Sequence, residues 1–306
     1  MKEHDKPSGI FGKFFTIARR VNSYRKEFKN YTSVIYHMVR EKYPFVARLR
    51  DGTHVKVYSL NELFMIISGM GTSNVVYDER QHVTKINYKE KEIALFGAEN
   101  NGDIPSVFFT EEYKFLEPMG NVVLDVGANI GDSVIYFLVN GASRVIAFEP
   151  YEFSYKNLVK NVEACGFLEK VEAIKAGIST KDSSLSIPRE YHSSTGAKLQ
   201  QRSGKDTEEV PVYSLKTIFD KYQIKDAVMK MDCEGCEYDS IVHASDDTLR
   251  KCKKYAIEYH YSYLPIKERL EKAGFDIKIK PSSESGYNTR THTVMSTGMI
   301  YASRKE

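Results

Sequence analysis

The residues able to do chemistry in this 306-residue chain fall in a few short stretches. V123-L-D-V-G-A-N-I-G-D132 sets Asp125 just before a turn that contains Gly127, Asn129 and Gly131. V145-I-A-F-E149 ends a second apolar run on Glu149. M229-K-M-D-C-E-G-C-E237 gathers Lys230, Asp232 and Glu234, and I257-E-Y-H260 adds Glu258 and His260. Small residues after a strand let the backbone approach a ligand closely, and Asn129 can hold an unusual turn or donate to that ligand. A carboxylate ending the next strand can accept both hydroxyls of a ribose. The glycine turn alone says little, but with Glu149 it points to a nucleoside-bearing cofactor.

A dinucleotide needs its pyrophosphate on helix-terminal N–H groups, usually after G-x-G-x-x-G. Here the turn is G127-A-N-I-G131, and a phosphate would meet Asp125 unfavourably, whereas a cationic amino-acid group would be attracted. S-adenosylmethionine, with an ammonium, a sulfonium and no phosphate, suits the turn better. No G-K-S or G-K-T follows, which excludes a Walker loop. Asp232 and Glu234 would share one face if their strand continued, with Gly235 permitting a turn, and Glu258 and His260 have the same relation. All four are expected around one acceptor pocket. His260 is the natural base by intrinsic pKa, and Asp232 can orient a hydroxyl or take its proton. Lys230 is expected beneath the site or paired with a carboxylate. Cys233 and Cys236 form C-x-x-C, but Cys165 and Cys252 make no second close pair. The cysteines are therefore expected to be structural or incidental, with Cys233 directed into packing. A base or a divalent metal can help the proton of a hydroxyl acceptor leave; such a metal is possible here but not expected.

The stretches from Val123 to Asp132 and from Val145 to Pro150 resemble the first motifs of class I S-adenosylmethionine-dependent methyltransferases. More narrowly, Lys230, Asp232, Glu234, Gly235 and Glu237 fit the K-x-D-x-E-G-x-E pattern of FkbM-type methyltransferases, many of which act on oxygen. Cys233 and Cys236 depart from the aliphatic or small residues usual there. The resemblance covers roughly residues 120 to 280, with A173-I-K-A-G-I-S179 fitting the segment after the third strand. It implies a Rossmann-like fold, S-adenosylmethionine as cofactor, Ala176 among the cofactor-binding residues, and Asp232 beside cofactor and acceptor.

These residues need a scaffold of alternating strands and helices. Apolar runs at 122–126, 144–148, 170–175, 227–231 and 255–259 read as parallel strands. Helices are expected at 132–139, 151–164, 215–222, 238–243 and 266–272, and an antiparallel pair, 275–280 with 294–302, makes the sheet mixed at one edge. Polar residues 189–209 read as a mobile insertion. Upstream, two amphipathic helices are expected: Phe11, Phe14, Phe15, Ala18 and Val21 mark the first, and Val34, Ile35, Met38 and Val39 the second. A hairpin around Asp51-Gly52 follows, then a helix capped by Ser59 and Glu62 and closed by Gly69. Strands at 75–77 and 93–96 and a turn at 100–103 complete this part. The expected division is an N-terminal α+β cap or oligomerisation subdomain over 1–110 and a methyltransferase domain over 111–306.

The net charge of +3 hides a split, because residues 1–50 carry 12 Lys/Arg against 4 Asp/Glu. That segment could meet an anionic acceptor group, but no nucleic-acid-binding module accompanies it. No apolar run could span a bilayer or form a signal core, and four cysteines make no dense disulfide framework, so a cytoplasmic location is expected. The reading is an O-methyltransferase for a small-molecule or glycan-like acceptor, with homo-oligomerisation through the N-terminal region. A nicotinamide-dependent oxidoreductase and a noncatalytic cofactor-binding scaffold are the alternatives.

Overall fold

A computed structural model describes residues 21–67, 74–98, 102–189, 206–288 and 293–306. Its centre is a seven-stranded sheet in the order β14-β15-β13-β12-β6-β7-β8. The strands are β6 (Val122–Val126), β7 (Arg144–Phe148), β8 (Val171–Ile174), β12 (Ala227–Met231), β13 (Cys252–Tyr259), β14 (Phe275–Asn288) and β15 (Thr293–Arg304). The five from β13 to β8 run parallel, while β15 is antiparallel to both β13 and β14. This is the Rossmann-like α/β arrangement expected, with its mixed edge.

Side-chain alternation along these strands divides the interior in two. Val123, Val145, Ala147 and Val228 face one core, and Leu124, Val126, Ile146, Phe148, Met229 and Met231 face the other. Strands buried on both faces are mostly apolar, with Asp125 and Lys230 the exceptions in β6 and β12, so they read as runs rather than as alternation. The first core packs the helices Asp132–Val139 and Glu152–Ala164, and the second packs Leu215–Lys221, Cys236–His243 and Leu264–Lys272.

The first core also takes in the N-terminal part. A three-stranded antiparallel sheet, β3 (Val75–Asp78), β4 (Val83–Tyr88) and β5 (Lys91–Phe96), contributes Val75, Ile86 and Leu95 to it. Asn161 joins the two parts: its side chain accepts the Phe96 N–H at 2.7 Å and donates to the Ile130 carbonyl at 2.8 Å. Residues 24–63 instead have their own cluster around Phe28, Val34, Phe45 and Leu63. It holds the helix Tyr31–Val39 and the hairpin β1 (Phe45–Arg48) with β2 (His54–Val57). In the helix Leu60–Ile67, the Ser59 hydroxyl accepts the Glu62 N–H as expected. The Glu62 carboxylate reaches past the cap to accept from Tyr58 and Tyr77.

Four strands were not anticipated. One is β4; the others, β9 (Gly177–Ser179), β10 (Ser183–Pro188) and β11 (Thr207–Ser214), form a second three-stranded sheet, ordered β10-β11-β9. The expected insertion thus loses its last residues, 207–209, to β11, because Val210 and Val212 on alternate positions pack inward. Residues 190–205, the turn residues 100 and 101, the capping Gly69 and the helix positions 11–18 lie outside the described residues. No helix among the described residues is long and apolar enough to cross a membrane.

Candidate active site

Strand order reverses between β6 and β12, and a cleft of about 970 Å³, mouth included, opens beyond their C-terminal ends. Ligands of open α/β sheets collect at such a switch point. Gly127, Asn129, Glu149, Ala176, Lys230, Asp232, Glu234, Glu258 and His260 all line it. Asp125 and Gly131 do not.

Asp125 sits under the floor. It is fully buried and directly opposite Lys230 in the β6–β12 register. Lys230 Nζ lies 3.2 Å from Asp125 Oδ1 and donates to the Gly127 carbonyl at 2.6 Å, while the Ser133 hydroxyl donates to Asp125 Oδ2 at 2.6 Å. The charge expected to attract a ligand ammonium is therefore taken up by the chain's own lysine, which is held charged by Asp125, Asp232 and Asp132 against the opposing effect of burial. Of the two placements expected for Lys230, beneath the site or paired with a carboxylate, the structure has the pair, and Lys230 also lines the cleft.

Gly127 lines the cleft and is also required by its own chain. Its φ is +75°, and a Cβ there would stand 1.8 Å from the Asp232 carbonyl oxygen. The backbone approached this closely is the chain leaving β12. The Asp232 N–H donates to the Val126 carbonyl at 3.0 Å across the same seam. Gly131, at φ +88°, turns the chain into the helix that follows, against Leu158.

At one end of the cleft, Glu149 receives backbone N–H groups from Asn129 and Tyr151, each at 2.9 Å. Burial nonetheless pushes its carboxyl up to about 7. Each oxygen keeps a lone pair for another donor, so a vicinal diol would meet the unmet demand. Phe148, Tyr151, Ala176 and Ile178 supply apolar wall nearby, as a nucleoside requires. These residues fit S-adenosylmethionine. Asp132, also lining the cleft, is pushed up to about 6 by burial, with Asp125 adding to it.

The other end is built where β12 and β13 finish. β12 stops at Met231, so the shared face expected for Asp232 and Glu234 on a continuing strand does not exist. Instead Glu234 and Gly235 take φ of 58° and 123°, a tight turn that still returns Glu234 to the cleft. Cys233 and Cys236 are joined by a disulfide across this turn, which corrects the view of Cys233 as a thiol directed into packing. His260 Nε2 lies 3.4 Å from Glu234 and 3.7 Å from Asp232, and Nδ1 lies 3.2 Å from Glu237. Burial opposes charge on the imidazole, but Glu237, Glu234 and Asp232 together raise it to about 10. A ring held as imidazolium is not the ready base that its intrinsic pKa suggested. Glu258 is pushed well above the usual carboxylate range by burial and by Asp232.

Several site residues escaped the sequence reading. Glu237 is fully buried and accepts the Cys233 N–H at 3.1 Å; it stood in the quoted motif with no role assigned to it. Asp103, Val107 and Tyr113 line the cleft from outside the motifs. Asp103 is raised well above its ordinary value by burial, Asp132 and Asp232. No spacing announced it.

The methyltransferase FkbM domain matches residues 125–277, half of the chain. Similar solved structures include a precorrin-6y C5,15-methyltransferase from Geobacter metallireducens, 12% identical, with 64% of this chain and 87% of that one covered and a TM-score of 0.37. Another is an rRNA methylase from Streptococcus thermophilus, also 12% identical, covering 64% of this chain and 95% of that one with a TM-score of 0.39. No curated protein matches.

Proposed function

We propose, from the premise that the chain belongs to the FkbM methyltransferase family, that this S-adenosylmethionine-dependent methyltransferase modifies a hydroxyl oxygen of a small-molecule or glycan-like acceptor. Membership sets aside the oxidoreductase and scaffold alternatives. Bound S-adenosylmethionine supplies an electrophilic methyl group on sulfur. Glu149 would hold its ribose, with Asn129, Ala176 and the Gly127 turn shaping the wall beside it, and Asp125 and Gly131 would act from below by fixing that turn.

The carrying observation is the group of carboxylates Asp232, Glu234 and Glu258 around His260 at the far end of the cleft. Such groups accept hydrogen bonds, so they suit an acceptor rich in O–H donors. They also disfavour nucleic acid, because a phosphate backbone would meet negative charge. In this reading Asp232 orients the acceptor hydroxyl and receives its proton, Glu258 helps to orient it, and His260 keeps the acidic side chains in place. Residues 1–110 act as a cap that supplies Asp103 and Val107 to the wall; their share in the core around Val75, Ile86 and Leu95 supports this division better than a detachable appendage.

The test is transfer of labelled methyl groups from S-adenosylmethionine into fractionated cell extract, followed by assignment of the methylated atom. A methyl ether in a hydroxyl-bearing product is expected. Label found on nitrogen, carbon or a nucleic acid would overturn the reading.

A further inference from the structure

We propose that Asp232, Glu237 and His260 form a binding site for one divalent cation at the acceptor end of the cleft. The assignment of that end to the acceptor is the reading given above; the cation is additional to it. The three residues each bring one ligand atom to within 4.8 Å of the others. In a six-coordinate site with bonds of about 2.1 Å, neighbouring ligand atoms stand about 3 Å apart and opposite ones about 4 Å. His260 Nε2 stands 3.7 Å from Asp232, within that range, while the 3.2 Å approach of Glu237 is to the other ring nitrogen, Nδ1.

Two buried atoms point to the same conclusion independently. Glu237 Oε2 has no hydrogen-bond partner, and His260 Nδ1 approaches Glu237 Oε1 at 3.2 Å without meeting it in a hydrogen bond, although Glu237 is 0% and His260 4% exposed. A buried orphan polar atom is costly in a folded protein, and here two of them are neighbours. A metal-bound imidazole uses one nitrogen and keeps a proton on the other for a carboxylate, so an ion here displaces one of the two protons that the ring holds without metal. Carboxylates flank both nitrogens, with Glu234 beside Nε2 and Glu237 beside Nδ1.

Among the described residues, acidic side chains outnumber basic ones along the cleft: Asp103, Asp132, Glu149, Asp232, Glu234 and Glu258 line it, against Lys230 and His260. Lys230 is already committed to Asp125. The ligands stand on fixed supports: Asp232 follows β12, His260 follows β13, Glu237 lies in the first turn of the next helix, and the Cys233–Cys236 disulfide closes the turn between two of them. One imidazole with two carboxylates suits Mn²⁺ or Mg²⁺, with the nitrogen favouring Mn²⁺. Such an ion would lower the pKa of a hydroxyl that reaches it.

The test uses the full chain, stripped with chelator and then titrated with MnCl₂ without acceptor, bound metal being followed by calorimetry and by the loss of free Mn²⁺ electron-spin resonance. One saturable equivalent is expected, displaced by excess Mg²⁺. His260→Gln and Glu237→Gln should each weaken it at least about tenfold. Asp232→Asn, at a less buried position, guards against misfolding of the other two and should do the same. Glu149→Gln, at the opposite end, should leave the equivalent in place. Absence of a saturable equivalent, or unchanged Mn²⁺ affinity in folded variants of the three residues, overturns the site. The acceptor reading fails separately, through the methylated atom of the product.

Discussion

The two ends of the cleft satisfy their charges in opposite ways. At the Glu149 end, one buried carboxylate is met by two backbone N–H groups of its own chain and has room for two more donors. At the His260 end, three carboxylates crowd one ring, and two buried atoms are left without hydrogen bonds. The first end is complete except for a pair of neutral donors such as a ribose diol. The second is complete only with added positive charge or with several hydroxyl donors. A transferase with this division can hold its donor molecule by shape and hydrogen bonds while electrostatics govern the acceptor.

The largest expected effect would abolish the distinction between the ends. Gly127→Val forces a branched side chain into the Asp232 carbonyl, which joins the two ends, at a φ that disfavours it. We expect more than about 4 kcal/mol of destabilisation, read as loss of soluble protein or of a cooperative melting transition. A well-folded variant with normal cofactor affinity would show that the seam between β6 and β12 yields easily.

Asp232→Asn separates the ends. Single-turnover methyl transfer should slow by about 10²-fold or more, with S-adenosylmethionine affinity within several-fold of the parent. A variant that binds cofactor poorly but transfers normally at saturation would move Asp232 to the donor's side. Glu149→Gln is the mirror experiment. It should weaken S-adenosylmethionine binding by about 1 to 3 kcal/mol in a calorimetric titration and leave transfer at saturation close to the parent rate. Unchanged affinity would sink the ribose assignment.

The smallest effect is on the ligand-free protein. Burial raises Glu149 from 4.5 to about 7, so folding favours its protonated form. That contribution to stability is complete below about pH 4.5 and is lost as pH rises through about 7. Melting temperatures measured without ligand from pH 5 to pH 8 should therefore fall, and Glu149→Gln should flatten the decline. A parallel decline in the variant would assign the slope to Asp132, held at about 6, or to other groups.

How much the sequence revealed also differs between the ends. Glu149 terminates a strand buried on both faces, so an apolar run followed by a carboxylate was enough to locate it. The His260 end depends on a non-helical turn, a cross-link between Cys233 and Cys236, and the side-by-side pairing of β12 with β13. Only the last of these leaves a periodic trace. Asp103 and Tyr113 were invisible for a further reason: they reach the cleft because a separate sheet shares the core, and such packing has no local spacing. The Asp125–Lys230 pair was half legible. Both residues stood out as charges in apolar strands, but only the register decides that they face each other.

That pair bears on how the sheet reaches its alignment. β6 and β12 lie some hundred residues apart in the chain and meet in the middle of the sheet, and their apolar residues could slide past one another with little penalty. Lys230 cannot. Shifted by one position it would change faces, and shifted by two it would stand opposite Val123 rather than Asp125, with an ammonium buried beside a methyl group. Removing one partner of such a pair is more damaging than never having built it. The two charges therefore serve as an alignment key for a long-range pairing, rejecting the slipped sheets that an all-valine seam would tolerate.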